Sequence, residues 1–111
     1  LLTLHFLDRA DRLRTLEEIR QRMVPGSAFV AVHGSFPQGP GERDAWLDRY
    51  LAFALAKGAD RDMAERARET VATSVPMLDP EEDEALLRQA GFAGVTQFYA
   101  AFTWRGWVGY A

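Results

Sequence analysis

The sequence predicts an α/β domain with the element order β-α-β-α-α-α-β-β and an antiparallel hairpin at its end. Three observations predict this class. Two apolar runs flank an amphipathic segment early in the chain, a Gly- and Pro-rich loop leads into further helices, and two aromatic-rich β runs come last. Alternating strands and helices are typical of a sheet covered by helices. We therefore expect one layered domain over residues 1–111.

The composition excludes several classes of function. The chain is 48% hydrophobic and 26% charged with a formal net charge of −3, so bulk charge does not favour nucleic acid or anionic membrane as partner. It has no cysteine and two histidines, and no spacing is typical of a metal site, so we expect no metal. No apolar run approaches the roughly 20 residues that span a bilayer. We expect a soluble, cytoplasmic protein without a membrane partner.

The first predicted element is a strand over residues 1–4. This stretch is apolar apart from Thr3, which is typical of a strand buried on both faces of a parallel sheet. Because the apolar run begins at Leu1, we interpret the sequence as a piece of a longer chain that starts midway along a strand.

An amphipathic helix follows, with Asp8 or Asp11 as its cap, and Pro25 with Gly26 ends it. Its predicted inner residues are Leu13, Leu16, Ile19 and Met23, and its predicted outer residues are Arg9, Arg12, Glu17, Glu18 and Arg22. Residues 28–33 form a second buried strand, parallel to the first. The three elements make a β-α-β unit.

Residues 34–41 are rich in Gly and Pro and predict a loop at the carboxyl end of the second strand, the edge where open α/β sheets bind ligands. Helices over residues 44–57 and 60–75 come next, so residues 42–75 form an inserted helical cover. The second of them has a thin apolar stripe of Met63, Ala64, Ala67 and Val71. We expect this cover to be the most mobile structured part.

Asp79 and Pro80 mark the start of the last helix, and Gly91 marks its end. Residues 95–102 and 104–110 then predict the hairpin. They contain Phe98, Tyr99, Phe102, Trp104, Trp107 and Tyr110. A base-stacking platform is one interpretation of these aromatic residues, but we expect them to form sheet core.

Four segments together resemble the C-terminal half of the class I S-adenosylmethionine-dependent methyltransferases. They are residues 2–7, Val24-Pro25-Gly26-Ser27, residues 82–92, and Phe98-Tyr99 followed by Trp104-Arg105-Gly106-Trp107. The resemblance implies a Rossmann-like sheet in which they are the fourth strand, the turn into the fifth strand, a helix end, and the last two strands. It is greatest to the branch of tRNA wobble-uridine methyltransferases and carboxy-S-adenosylmethionine synthase. The Gly-rich cofactor loop belongs to the half of the pattern outside this sequence.

The resemblance implies S-adenosylmethionine as cofactor, held beside Leu1, Leu2 and Phe6. His5 is the candidate catalytic residue, as a general base or as a group that orients the acceptor. The alternative is a hydrogen-bonded packing histidine at a strand end. His33 is expected to be structural.

The candidate substrate-binding residues are Phe36, Phe53, Arg66 and Arg68. An aromatic lid over the acceptor is one interpretation of Trp46, Tyr50 and Phe53 together with Phe36. Their helical spacing is also typical of core residues, and burial is the favoured interpretation for Trp46 and Tyr50. By the resemblance, Arg68 aligns with an arginine that binds a carboxylate in the carboxy-donor branch, and its guanidinium suits that task. The alternative is a solvated helix face paired with Glu65 and Glu69.

The predicted function is methyl transfer from S-adenosylmethionine to an unidentified small-molecule or nucleoside acceptor. One alternative is a carboxy-S-adenosylmethionine synthase-like modification of the donor. Another is a non-catalytic methyltransferase-like interaction module that pairs through its first strand. A homodimer is also considered. Taken alone, residues 1–111 are expected to be inactive because the cofactor loop is not among them.

Overall fold

Three strands form one sheet in the computed structural model, which describes residues 1–111. The strands are β1 (Ala28–Gly34), β2 (Ala93–Ala101) and β3 (Trp104–Tyr110). Their order is β1-β3-β2, and both neighbouring pairs are antiparallel. The β2–β3 hairpin therefore folds back so that the last strand lies between the other two. The predicted α/β class and the terminal hairpin are confirmed.

Four helices accompany the sheet: α1 (Arg9–Arg22), α2 (Glu42–Ala56), α3 (Arg61–Ser74) and α4 (Pro80–Gln89). Asp8 caps α1 by accepting a hydrogen bond of 2.8 Å from the Asp11 nitrogen. Asp60 caps α3 in the same way, at 3.1 Å from the Met63 nitrogen. None of the helices is long and apolar enough to cross a membrane.

The core lies between one face of the sheet and the helices α1 and α4. Trp107 at the centre of β3 is fully buried, and Leu16 of α1 and Leu86 of α4 are buried in the same cluster. By contrast, α2 and α3 pack chiefly on each other. The chain thus has a packed core around Trp107, and α2 and α3 form a helical pair beside that core.

The predicted strand over residues 1–4 is wrong. Only Leu1 pairs with β1 in the parallel manner: its nitrogen donates to Val30 O at 3.0 Å, and Val32 N donates to Leu1 O at 2.9 Å. The chain then forms a short 3-10 helix, Leu4–Phe6. The next backbone donor along that edge of β1 is Gly34 N, and the His5 side chain accepts its hydrogen bond at 3.1 Å. The His5 side chain thus takes the place of the backbone carbonyl that would accept this hydrogen bond if the parallel pairing continued.

The expectation that the terminal aromatic residues form sheet core is also wrong, except for Trp107. The others are exposed: Phe98, Tyr99, Phe102, Trp104 and Tyr110. A helix reaches the sheet face opposite α1 and α4 only near the β2–β3 turn, where Phe53 of α2 contacts Phe102. Val30 lies on that open face, 45% exposed, opposite Val108 of β3.

The Gly- and Pro-rich loop is anchored rather than free. Phe36 is fully buried, Ser35 N donates to Thr103 O at 2.8 Å, and Gln38 N donates to the Asp79 carboxylate at 2.8 Å. Asp79 precedes α4, so its side chain ties the loop to the start of that helix instead of capping it. The loop leads the chain from β1 into the helical pair.

Candidate functional site

An inner cavity of about 320 Å³ opens where the 3-10 helix, the end of β1 and the helices α2 and α3 meet. Its lining includes His5, Phe6, Tyr50, Ala67, Val71 and Trp104. The local sequence places His5 there because the Leu4–Phe6 turn directs it toward Gly34, the last residue of β1. The cavity is mostly apolar with few polar groups, which is typical of small-molecule sites.

The hydrogen bond from Gly34 N fixes the protonation of His5. Because its Nδ1 accepts from a backbone N–H, a neutral ring carries its proton on Nε2. Burial, followed by the positive influence of His33 and Arg12, lowers the pKa of His5 from 6.5 to about 4. At neutral pH the ring is therefore uncharged. Nε2 has no partner within the protein and keeps accessible surface, so His5 can donate a hydrogen bond to a ligand.

A buried ion pair lies behind this histidine. Arg12 donates to the Asp83 carboxylate at 2.7 Å, and both side chains are almost fully buried. His33 Nε2 is 4.0 Å from the same carboxylate oxygen, and its ring centroid is 6.2 Å from that of His5. Burial lowers the pKa of His33, against the influence of Asp83. His33 is buried, and its Nδ1 lies 3.0 Å from Gly34 O.

The prediction that Arg12 faces outward is wrong, because its side chain is fully buried. The same guanidinium donates to Leu7 O at 2.9 Å and to Pro76 O at 2.7 Å. Leu7 follows the turn that carries His5, and Pro76 follows α3. Arg12 therefore holds both the His5 segment and the exit of the helical pair against α1.

An outer cavity of about 260 Å³ adjoins the inner one and shares Tyr50, Thr103 and Trp104 with it. Phe53 of α2 and Phe102 of the β2–β3 turn form its aromatic wall, with their ring centroids 4.5 Å apart. Phe102 has a φ of 51°, a left-handed conformation that costs a bulky residue about 1–3 kcal/mol. The strained residue thus lies in the turn where the Phe102 ring contacts Phe53 of α2.

The predicted cofactor wall is accessible. Leu1, Leu2 and Phe6 are 47%, 58% and 63% exposed, although they are large apolar residues. Phe6 also lines the inner cavity, and its ring centroid is 4.2 Å from that of His5. Leu1 and Leu2 line neither of the two cavities. The G-x-G-x-x-G pattern of a cofactor loop does not occur in residues 1–111.

The four predicted substrate-binding residues are not brought together. Phe53 lines the outer cavity, whereas the buried Phe36 lines neither cavity. Arg66 is exposed. Arg68 donates to the Asp48 carboxylate of α2 at 2.8 Å and also lies outside both linings. In this conformation the two arginines face away from the cavities.

Sequence reasoning missed Thr103 as part of the site. It considered Tyr50 for an aromatic lid but favoured burial, and Tyr50 lines both cavities. Gly34 had a usable signal, since it directly follows a strand next to a histidine. A Cβ there would lie 2.6 Å from the Met77 side chain and 3.5 Å from the His5 ring. Any residue larger than glycine at position 34 would displace the Met77 side chain.

Comparison with known proteins gives one curated relative and several structural neighbours. No family model matches the chain. A carboxy-S-adenosyl-L-methionine synthase of Staphylococcus epidermidis is 25% identical over 112 aligned residues, which cover 98% of this chain and 46% of that protein. The chain thus spans slightly less than half the length of this relative.

Two solved structures resemble the whole chain. PigF with SAH superposes with a TM-score of 0.62 at 19% identity, covering 98% of this chain and 28% of that one. Human N-acetylserotonin methyltransferase in complex with SAM gives 0.60 at 15% identity, covering 99% and 28%. The resemblance predicted from the sequence is confirmed, and the chain has the fold of a C-terminal portion of the S-adenosylmethionine-dependent methyltransferases.

Proposed function

We propose that this chain is part of an enzyme that transfers a methyl group from S-adenosylmethionine to a small-molecule or nucleoside acceptor. The observation that carries the proposal is the inner cavity at the carboxyl end of β1, where His5 and Phe6 meet residues of the helical pair. Ligands of open α/β sheets bind at that edge. The fold shared with SAM- and SAH-bound proteins supports the choice of donor.

Bound S-adenosylmethionine supplies an activated methyl group on a positively charged sulfur. A lone pair on the acceptor heteroatom forms the new bond to the methyl carbon as the carbon–sulfur bond breaks. The electron pair of that bond stays on sulfur, and any proton on the acceptor atom leaves to water. Alignment of the two reactants supplies much of the rate enhancement in such a displacement, so few side chains need to take part.

His5 orients the acceptor in this proposal. Its Nδ1 is occupied by Gly34 N, so Nε2–H is the group available to a ligand, and it donates rather than accepts. Of the two roles suggested by the sequence, the geometry therefore favours orientation over general base. Phe6 lines the donor side, with Leu1 and Leu2 beyond the cavity lining, and Tyr50, Ala67 and Trp104 line the acceptor side.

Titration of the intact protein that carries this chain with S-adenosylmethionine tests the proposal, using calorimetry. We expect saturable binding that His5→Asn leaves unchanged, because Asn can still accept the bond from Gly34 N. Transfer of a radiolabelled methyl group should fall in the same variant, whereas Arg14→Ala on the exposed side of α1 should match the wild type. Absence of binding at millimolar donor would contradict the proposal.

A second candidate function is modification of the donor, as in the curated relative, a carboxy-S-adenosyl-L-methionine synthase. It would require Arg68 to leave Asp48, its partner at 2.8 Å, and turn toward a carboxylate in the cavity. Mass spectrometry separates the two functions after incubation with the donor. With an acceptor present, methyl transfer yields S-adenosylhomocysteine. Donor modification yields a carboxylated, heavier S-adenosylmethionine only when a carboxyl-donating co-substrate is added, and it depends on Arg68.

A further inference from the structure

The volume and lining of the two cavities indicate the class of ligand more closely than the fold does. They share Tyr50, Thr103 and Trp104, so they are two compartments of one recess. The inner one is about 320 Å³ and the outer one about 260 Å³, each near the lower end of small-molecule sites. A ligand that fills both has two lobes joined beside Trp104.

No charged side chain lines either compartment. The nearby arginines are already engaged: Arg12 with Asp83, Arg43 with Gln38 and Ala72 O, and Arg68 with Asp48. Two further cations lie beside the outer compartment but outside its lining: Lys57 Nζ is 5.8 Å from the centroid of the Phe53 ring, and Arg105 donates to Phe102 O and Trp104 O. An anion moved into the recess would lose water and meet no positive side chain in the lining, which is unfavourable. The recess therefore selects against carboxylates and phosphates.

The polar groups that do line the inner compartment are few. They are His5, Tyr50, Thr70 and Thr103. His5 presents Nε2–H, because its Nδ1 accepts from Gly34 N at 3.1 Å. A ligand atom that contacts His5 must then be a hydrogen-bond acceptor, such as a carbonyl, hydroxyl or ring nitrogen.

The outer compartment is built for a flat apolar group. Phe53 and Phe102 form its wall with ring centroids 4.5 Å apart, and Tyr99 and Trp104 complete it. The left-handed backbone of Phe102, with φ 51°, directs this ring toward α2 at an energetic cost. Aromatic side chains of this kind bind rings by stacking and burial.

We propose that the methyl acceptor is an uncharged, mainly apolar molecule with two lobes, one in each compartment, whose polar atom accepts a hydrogen bond from His5 Nε2. This inference rests on the proposed function, because it names the acceptor class of the same site. It separates this chain from an enzyme that binds a carboxylate through Arg68. It also excludes phosphorylated nucleotides while leaving uncharged nucleosides with an apolar substituent.

Three probes of graded charge and size test the proposal on the intact protein. Biphenyl-4-carboxamide and biphenyl-4-carboxylate have the same shape and differ in charge, and benzamide is a single-lobe control. Quenching of tryptophan fluorescence reports binding, since Trp104 lines both compartments. We expect the biphenyl amide to bind at least about tenfold more tightly than the carboxylate, and about tenfold more tightly than benzamide.

Variants assign the binding to the recess. Ala67→Phe fills the inner compartment and should weaken the biphenyl amide by at least about tenfold. Ala52→Phe is the matched control, because Ala52 is exposed on α2 and lines neither compartment. His5→Asn keeps an acceptor for Gly34 N but removes the Nε2 donor, and should weaken binding by about tenfold.

The outcomes separate this inference from the proposed function. Equal or tighter binding of the carboxylate, or amide binding unaffected by Ala67→Phe, would overturn the acceptor class. Donor binding and methyl transfer could still be intact in that case. Conversely, amide binding that is sensitive to Ala67→Phe, in a protein that does not bind S-adenosylmethionine, would leave an apolar ligand site and overturn methyl transfer.

Discussion

Arg12 shows how one buried residue can hold separate parts of a site. It pairs with Asp83 at 2.7 Å and donates to Leu7 O and Pro76 O, so it joins α1, α4, the His5 segment and the end of α3. Helical spacing could not predict this role, since Arg12 lies on the nominally polar side of α1. Asp83 likewise resembled an ordinary acidic residue in the first turn of a helix.

Loss of either partner of this pair should strongly destabilise the protein. We expect Arg12→Met or Asp83→Asn to lower the free energy of unfolding by about 3–5 kcal/mol, because the remaining group is left buried without its partner. Urea unfolding followed by circular dichroism measures the change. The double variant Arg12→Met with Asp83→Leu should recover part of the loss, and a double variant as unstable as the sum of the singles would contradict this account.

The low pKa of His5 predicts a pH-dependent stability. The folded protein keeps His5 neutral down to a pKa of about 4, whereas the unfolded chain binds a proton near 6.5. Between these values the unfolded state holds more protons, so stability rises with pH over this window and falls as the pH drops from 6.5 toward 4.

The contribution of His5 to this fall is at most about 3 kcal/mol. Urea unfolding at a series of pH values tests it, and His5→Asn should flatten the pH dependence within the window. An unchanged slope in that variant would assign the whole effect to other groups, with His33 as the first to examine.

At the scale of elements, what the sequence could predict depended on local signals. Caps and helix breaks placed the helices, as Asp8, Asp60 and Pro80 show. The first strand was wrong because a long-range side-chain bond, from Gly34 N to His5, competes with the ladder. The predicted burial of the aromatic residues in the hairpin was wrong, because periodicity cannot show which face of a sheet a helix covers. Similarly, His5, Phe53 and Tyr50 could be considered from their positions, whereas Thr103 required the tertiary arrangement.

The helix α3 should open more readily than α4. It buries only Ala64, whereas α4 buries Asp83, Leu86 and Leu87, and small side chains bury little apolar area. Local opening therefore costs less than global unfolding. In hydrogen exchange on the intact protein, residues 61–74 should exchange faster than residues 80–89 and slow when donor and acceptor are bound. Equal protection in the free protein would identify the helical pair as rigid scaffold.

At the scale of the whole molecule, the sheet has one covered and one open face. The open face carries Val30, Val32, Tyr99, Val108 and Tyr110, and Val30, Tyr99 and Tyr110 are 45%, 45% and 44% exposed. Continuous apolar surface of this kind is unusual on a monomer and commonly marks an interaction surface.

A hydrophobic dye should detect this face on the intact protein that carries the chain. We expect dye fluorescence to rise in the presence of the native chain and to fall in Val30→Glu, which places a charge at the centre of the face. Dye fluorescence measured at several protein concentrations also tests for a homodimer. A dimer formed through this face would lower the dye signal as concentration rises, and Val30→Glu would abolish that trend.

The helices α2 and α3 pack mainly on each other and join the rest of the chain through the anchored loop and the segment that Arg12 holds at Pro76. Swinging of this pair as one body would separate Phe53 from Phe102, whose ring centroids lie 4.5 Å apart, and would displace solvent. Solvent friction then enters the kinetics: if swinging of the pair limits acceptor entry or product departure, turnover should slow in proportion to added viscogen such as sucrose. Cross-linking α3 to the 3-10 segment, at Val75 and Phe6, would remove that dependence together with most of the turnover.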